Sequence, residues 1–258
     1  MTPFDLQRAA DALMAARAAV QRVAALPADA VPATLAEAYR VQAELARRAG
    51  GQAGWKVGAV DPAARAALGI DRPTAARLLP QFHHAAPARL SHRRFLTPAV
   101  ECELAFELGA DLPARAAPYA PDEIVAAIAQ MRLAIEVADS RLPPERSLAM
   151  NLADAMGNGA FVVGPPVRSW RSMDRGAIAV TLRVNGATAA TGLGAKVLGD
   201  PLRAVTLLAD HPPLGSLGLR RGEIVTTGSL TGMDPVAPGD RVMADFGILG
   251  IVELEFTP

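Results

Sequence analysis

The chain has 258 residues, a length typical of one large domain or of a large domain with a smaller one attached. Its 26 Lys and Arg residues balance its 26 Asp and Glu residues, so it lacks the basic excess of a nucleic-acid binder. No apolar run reaches the ~20 residues of a transmembrane helix, and one cysteine excludes an internal disulfide framework. The opening residues also lack the basic-then-apolar order of a secretion signal. We therefore expect a cytoplasmic protein without nucleic-acid or membrane partners.

The first fifty residues have helical patterns. An amphipathic helix is predicted over residues 4–24. A second helix begins at a capping box, formed by Thr34 and Glu37. We therefore predict that residues 1–52 are a helical segment packed on a β-rich catalytic body of residues 53–258.

The body begins with mixed signals. Residues 54–60 are short, apolar and bounded by glycine, which predicts a strand, and 61–68 read as a capped helix. A polar, proline-containing stretch then continues to about residue 97, before a strand over 98–108.

The second half is mostly β. A helix is predicted over 120–131, leading into the apolar segment 132–141, and another over 200–210. Asn185-Gly186 predicts a tight hairpin. Because strands do not alternate regularly with helices, the pattern favours an α+β fold over a doubly wound sheet. The chain closes with three predicted strands, in "GEIVTTGSL", "DRVMADF" and "GIVELEF".

The segment "PAVECELAFEL" (98–108) alternates apolar and polar residues, so Glu101 and Glu103 point to the same face of a strand. Cys102 points the other way and is predicted to be part of the core. A solvated face remains an alternative, because Glu107 lies on it too and glutamate is rarely buried unless paired.

A second segment, "LAIEVA" (133–138), places Glu136 in an otherwise apolar strand. Burying an unpaired carboxylate costs several kcal/mol or forces it to take up a proton, and a divalent cation removes that cost. Together with Glu101 and Glu103, this residue would provide three hard oxygen ligands and leave coordination positions open. Such a set suits Mg²⁺ or Mn²⁺.

Lys56 lies in the middle of the predicted strand "GWKVG". One interpretation is a side chain whose amine reaches water. The other is an amine held in a partly dry pocket near anionic groups, where it binds a carboxylate or transfers a proton. The spacing does not separate the two.

Five segments in order resemble one protein group: "GWKVG", "PAVECELAF", "IEVADSR", "TGLGAKVLGDP" and "GSLTGMDPVAPGD". They are similar to the 2-keto-4-pentenoate hydratase and 4-oxalocrotonate decarboxylase group of the fumarylacetoacetate hydrolase superfamily. The likeness runs from about residue 35 to the C-terminus. It implies a mixed β-sandwich or roll with helices packed against it, and a homo-oligomer.

The resemblance also implies site residues. Glu101, Glu103 and Glu136 match the three glutamates that bind Mg²⁺ in the group, and Lys56 matches its active-site lysine. Leu68, in "AALGI", lies where a leucine backbone helps to bind the 2-oxo-acid end of the substrate.

Some positions depart from the group. Thr74 begins a stretch where hydratases commonly carry an acid, an aromatic residue and a glycine. The group's "ADNAS" appears as "ADAMG" (153–157), which keeps Asp154 as a candidate catalytic residue but replaces the asparagine and serine by Ala155 and Gly157. The serine hydroxyl is thus absent, unless Asn158 substitutes for it.

Three further polar residues are candidate substrate contacts. Arg141 either holds a substrate carboxylate or pairs with Asp139. Ser229 and Thr231, in "GSLTG", either hydrogen-bond the far end of the substrate or only shape the turn. Lys196 either adds positive charge to the pocket or points outward.

The resulting expectation is a metal-dependent hydratase. It would add water to a 2-hydroxy-2,4-dienoate and give a 4-hydroxy-2-oxo acid, in aromatic-compound degradation or a related pathway. A 4-oxalocrotonate-type decarboxylase is the first alternative, because both reactions use the same electron sink. A catalytically weak metal-binding paralogue is the second, since a fold alone does not imply a function.

Overall fold

A computed structural model describes residues 3–23, 26–213 and 215–258 of the chain. Within this part of the chain, none of the helices is long and apolar enough to cross a membrane. The α-helices described there are α1 (Pro3–Ala19), α2 (Leu35–Arg48), α3 (Pro62–Leu68), α4 (Pro121–Ala127), α5 (Leu148–Ala153) and α6 (Leu202–Asp210).

The strands form a mixed α+β fold with two main sheets. In the eight-stranded sheet the order is β2-β1-β12-β5-β7-β8-β3, with β13 also paired to β5. The five-stranded sheet has the order β10-β9-β14-β15-β4, and β11 and β6 form a separate pair. The strands are β1 (Gly54–Gly58), β2 (Thr74–Leu78), β3 (His83–Ala85), β4 (Ala88–Ser91), β5 (Ala99–Leu108), β6 (Leu112–Pro113), β7 (Ile128–Ala138), β8 (Asn158–Val167), β9 (Ala179–Val184), β10 (Ala187–Leu193), β11 (Gly218–Leu219), β12 (Ile224–Thr226), β13 (Asp234–Pro235), β14 (Arg241–Asp245) and β15 (Ile251–Thr257).

The main hydrophobic core joins the two large sheets. Alternate residues of β5 enter it, and Cys102 is fully buried there, as the sequence predicts. The opposite face of β5 is consequently free to carry the glutamates. Fully buried residues of this core include Leu104, Phe106, Leu133, Ile135, Val162, Leu182, Ala244, Val252 and Phe256.

A second cluster joins α1, α2 and α5. The predicted capping box at the start of α2 is present, because the Thr34 hydroxyl accepts from the Glu37 amide and Glu37 accepts from the Thr34 amide. Gln42 is buried on the same helix. Its amide donates to the Leu152 carbonyl at 2.6 Å and accepts from the Arg77 amide at 2.8 Å, which fastens α2 to α5 and β2.

Two predictions of local structure are wrong. The polar, proline-containing stretch that continues to about residue 97, for which the sequence predicts no strand, contains β2, β3 and β4. The helix predicted over 120–131 ends at Ala127. Beyond it, Gln130 and Met131 pair with β5, so sheet pairing overrides the helical pattern.

The predicted hairpin is confirmed. Strands β9 and β10 flank Asn185 and Gly186, both of which have positive φ, of 51° and 83°. This combination is typical of a type I′ turn, in which asparagine and glycine are favoured.

Candidate active site

Three carboxylates lie together on the face of the large sheet opposite the main core. Strand β5 contributes Glu101 and Glu103, and the antiparallel neighbour β7 contributes Glu136, whose Cα is the direct partner of the Glu101 Cα. One oxygen from each carboxylate lies within 4.8 Å of the others. The period of two along β5 and the register with β7 are therefore sufficient to bring the three together.

The hydrogen bonds of this cluster leave ligand positions free. Glu103 Oε2 accepts from the Gly228 amide at 3.0 Å and from the Thr226 hydroxyl, which fixes the orientation of that carboxylate. Glu136 is fully buried, and its Oε2 has no hydrogen-bond partner within the described residues. A buried carboxylate oxygen without a partner is costly, and a hard divalent cation would satisfy it. The donor set therefore fits such a cation.

The proximity of like charges perturbs the acids. Burial, with the Glu136 carboxylate adding to the effect, raises the pKa of Glu101 to about 7. Burial and the two neighbouring carboxylates hold the pKa of Glu103 well above its usual range. These shifts favour the binding of a positive ligand that replaces the protons.

Lys56 lies beside this cluster, on β1. Its side chain is only 7% exposed, and its Nζ donates to Glu136 Oε1 at 2.5 Å and lies 3.4 Å from the Met156 carbonyl oxygen. Burial opposes the charged amine, but the surrounding carboxylates outweigh it and raise the pKa of Lys56 above its usual range. Of the two sequence interpretations, the buried amine near anionic groups matches this geometry.

The loop after α5 shapes the wall next to Lys56. Ala155, Met156 and Gly157 have consecutive positive φ angles of 52°, 51° and 70°. Left-handed backbone is unfavourable for residues other than glycine, and it concentrates at functional sites. Here it turns the Met156 carbonyl towards Lys56, while the Met156 sulfur accepts from the Thr74 hydroxyl at 3.2 Å.

Asn158 follows this loop at the start of β8. It is 3% exposed, and its Nδ2 donates to Glu136 Oε1 at 2.9 Å. Its backbone carbonyl accepts from Arg17 Nη2 at 2.7 Å. Asn158 therefore orients Glu136 and links it to helix α1.

Arg141 and Asp154 form a buried ion pair with each other. Arg141 Nη2 and Nε lie 2.7 and 2.9 Å from Asp154 Oδ1. The prediction that Arg141 pairs with the Asp139 side chain is wrong. The Asp139 carboxylate accepts instead from the Leu96 and Thr97 amides, and only its backbone carbonyl contacts Arg141.

The remaining residues that were predicted to contact the substrate lie in different environments. Ser229 is partly buried, and its hydroxyl accepts from the Gly232 amide at 2.8 Å and donates to the Gly232 carbonyl at 3.2 Å, so it shapes the turn. The Thr231 hydroxyl accepts from the Cys102 amide at 3.1 Å, so it holds the backbone of β5. Leu68, at the end of α3, is 42% exposed, and Lys196 is exposed and points outward.

Comparison with known proteins identifies the family. The model of the fumarylacetoacetate (FAA) hydrolase C-terminal family matches residues 70–257. The chain belongs to this family. The predicted superfamily and fold class are thereby confirmed, and the large half-barrel sheet with its packed helices is the fold of this fumarylacetoacetate hydrolase family.

Relatives within the family carry two kinds of name. A 2-keto-4-pentenoate hydratase of Burkholderia vietnamiensis is 32% identical, over 87% of this chain and 86% of the relative. A 4-oxalocrotonate decarboxylase of Pseudomonas putida is 27% identical, over 86% of each chain. Both predicted names thus occur among the relatives.

One solved structure of the family is very similar. The 4-oxalocrotonate decarboxylase from Pseudomonas putida G7, complexed with magnesium and adipate, has a TM-score of 0.91 at 27% identity, covering 99% of this chain and 98% of that one. The same enzyme is also known complexed with calcium and acetate. A divalent cation is thus the class of ligand that this family structure and the carboxylate cluster share.

The sequence did not predict two residues of this chain that contact the candidate active site, Thr226 and Met156. Thr226 donates to Glu103, and its strand β12 places it beside Lys56 through parallel pairing. Met156 contacts Lys56 and Thr74. The difference between "ADAMG" in this chain and "ADNAS" in the group drew attention to the segment of Met156, but it did not predict a role for the Met156 carbonyl. No linear signal distinguishes Thr226 from the adjacent threonine.

Proposed function

We propose that this protein is a metal-dependent hydratase. It adds water to a 2-hydroxy-2,4-dienoate of the 2-keto-4-pentenoate type and yields a 4-hydroxy-2-oxo acid, in the degradation of aromatic compounds or a related pathway. The proposal rests on one arrangement above all. Three carboxylates, one with an unpartnered buried oxygen, face the amine of Lys56. The relatives named 2-keto-4-pentenoate hydratase support the choice of reaction.

Magnesium is the proposed ion, with manganese as the alternative, and Glu101, Glu103 and Glu136 are its proposed ligands. All three donors are hard carboxylate oxygens, the type that these ions prefer. When bound, such an ion supplies a Lewis acid that stabilises negative charge on the keto oxygen of a 2-oxo acid.

Lys56 is the proposed proton carrier. An ammonium has three N–H donors, and two of them point to Glu136 Oε1 and the Met156 carbonyl. The third is available to the substrate or to an ordered water. Because its pKa is raised, Lys56 holds a proton at neutral pH and serves as a donor to carbon while the electron-rich chain is protonated.

The burial of the site is also proposed to favour the reaction. Lys56, Glu103 and Glu136 are each less than 10% exposed. Electrostatic interactions are stronger in such a site than in water, and bulk water competes less with the water that is added.

The remaining site residues are proposed in two roles. Asn158, which hydrogen-bonds a metal-site carboxylate, and Ser229 are proposed to face the substrate. We propose the same for the backbone of Leu68 and, at the far end of the substrate, for Thr231. Asp154, together with Arg141, is proposed to act from beside the site, since its carboxylate is occupied by the guanidinium.

A decarboxylase acting on a 4-oxalocrotonate-type acid is the second candidate. Two observations favour it: the high similarity to the decarboxylase structure, and Thr74 at a position where hydratases of this group commonly carry an acid. The Thr74 hydroxyl donates to the Met156 sulfur and offers no carboxylate to the site. A metal-binding paralogue with little turnover is the third candidate.

One experiment separates these candidates. The protein is incubated with Mg²⁺ and either 2-hydroxypenta-2,4-dienoate or 2-hydroxymuconate, while dienol absorbance and released CO₂ are followed together. Loss of absorbance without CO₂ supports hydration, and stoichiometric CO₂ supports decarboxylation. Absence of turnover on both substrates, with metal still bound, contradicts both enzymatic proposals.

We also propose a cytoplasmic homo-oligomer whose partner is the small-molecule acid, without nucleic-acid or membrane partners. The balanced charge of the chain supports the absence of a nucleic-acid partner. Residues 1–52 are proposed as the helical segment and 53–258 as the catalytic body. The hydrophobic cluster that joins α1 and α2 to α5 of the body supports the packing of the segment on the body.

A further inference from the structure

A cavity of about 350 Å³ lies beneath helix α1. Gly159 lines it, whereas the side chain of the preceding residue, Asn158, points to the carboxylate cluster. Successive residues of a strand face opposite sides of the sheet. The cavity therefore lies on the other face of β8 from the proposed metal site, although Asp154 and Ala155, close to the loop that contacts Lys56, also line it.

The walls of this cavity are mainly apolar. Its volume is within the range of small-molecule sites, which are typically apolar clefts with a few placed polar groups. The apolar side chains come from α1, α2 and the segments around β3 and β5, among them Leu13, Leu45, Leu79, Phe82, Phe95 and Leu96.

Arg17 is the polar group without a matching carboxylate. Its Nη2 donates to the Asn158 carbonyl, and its guanidinium lies 4.2 Å from the centre of the Phe82 ring. Within the described residues, its Nε and Nη1 form no hydrogen bond, and Arg17 has no ion pair with an acid. The three N–H groups of these two nitrogens are thus available at the edge of the cavity.

The acids of the cavity are engaged elsewhere. Asp139 accepts from two backbone amides, and Asp154 is paired with Arg141. Arg94 adds a further positive charge among the lining residues and is exposed. Three arginines against two acids leave the cavity with an excess of positive charge.

The side chain of Arg17 is half-buried. Burial, followed by the Arg141 guanidinium, lowers the pKa of Arg17 to about 9. An anion beside it would stabilise the charged form, since opposite charges at close range favour ionisation.

We propose that this cavity binds a small monocarboxylate with an apolar tail, the carboxylate on Arg17 and the tail against the leucine and phenylalanine side chains. A planar guanidinium matches a carboxylate through paired N–H donors. The volume suits a tail of about four to six carbons. The ligand would lie near Arg17, which also donates to the Asn158 carbonyl.

Isothermal titration calorimetry with sodium hexanoate and Mg²⁺-loaded protein tests the proposal. Hexanoate could also bind at the metal, so the same titration uses Glu103→Gln. We expect the wild-type protein and Glu103→Gln to bind hexanoate with the same millimolar affinity. Neither protein should bind hexylammonium, which has the same tail but the opposite charge. Absence of hexanoate binding to the wild type, or its loss in Glu103→Gln, would overturn the proposal.

Variants of helix α1 locate the ligand. Arg17→Met should weaken hexanoate binding at least tenfold. Arg22→Met is the matched control, because Arg22 also donates to a backbone carbonyl, that of Leu142, but does not line the cavity. Ala18→Phe fills the space without altering Arg17 and should also abolish binding, which keeps the test decisive if Arg17→Met fails to fold. Unchanged binding in the folded variants contradicts the site.

Discussion

The ammonium of Lys56 lies 2.5 Å from carboxylate oxygen Oε1 of Glu136, although their strands are not adjacent. Strands β12 and β5 separate β1 from β7 in the sheet, and its curvature brings the two side chains together. A buried pair of this kind is worth little as a source of stability. The pair instead places the proposed proton donor, Lys56, directly beside a proposed metal ligand, Glu136.

Replacement of Lys56 should separate the two roles. Lys56→Ala is expected to retain metal binding, because the three carboxylates remain. We expect its turnover to fall by about 10² to 10⁴, the range for loss of a positioned proton donor. Steady-state kinetics and metal titration measure the two effects. Lys196→Ala, which removes an exposed lysine, is the control and should keep full activity.

Two of the three glutamates on one face of β5, Glu103 and Glu107, provide a matched pair for testing the metal site. Glu103→Gln removes a proposed ligand charge, and we expect metal affinity to fall by about 100-fold and activity to be lost with it. Glu107→Gln changes the same strand face but affects only an ion pair with Arg132, so its metal affinity should be unchanged. Calorimetric titration with Mg²⁺ decides, and a fully active Glu103→Gln would refute the assignment.

Metal affinity should depend strongly on pH near neutrality. Burial raises the pKa of Glu101 to about 7 and holds that of Glu103 well above its usual range, so the metal-free site holds protons that the ion must displace. Affinity is therefore expected to increase as pH rises from 6 to 8, with a net release of protons whose number per ion can be measured at pH 7. Titrations in buffers of different ionisation enthalpy measure this number. Equal heats in all buffers would contradict it.

Much of this site could be predicted from local patterns, and some of it could not. The alternation around Glu101 and the isolated Glu136 predicted the carboxylates, because strand periodicity determines which way they point. The position of Thr226 depends on parallel pairing of β12 with β1, which no local pattern encodes. The same reason explains why β3 and β4 were missed, since their partners β8 and β15 are distant in the sequence.

The hydrogen bond between Asn158 and Glu136 should influence metal binding from outside the ligand set. Partners that orient ligating carboxylates typically contribute about 10- to 100-fold to affinity, and we expect Asn158→Ala to lose this amount for Mg²⁺. Asn151→Ala is the control, because the Asn151 side chain contacts Arg146 and no metal-site carboxylate. Equal affinities for both variants would show that Asn158 does not position Glu136.

Breaking the buried ion pair of Arg141 and Asp154 should destabilise the fold. Both residues are at most 3% exposed, and removal of one charge leaves the other buried and unpaired. Asp154→Asn is therefore expected to lower the free energy of unfolding by about 3–5 kcal/mol. Chemical denaturation measures this change. Asp71→Asn, which breaks an exposed contact with Arg72, should leave stability unaltered. An Asp154→Asn protein of wild-type stability that still loses turnover would instead place Asp154 in direct contact with the substrate.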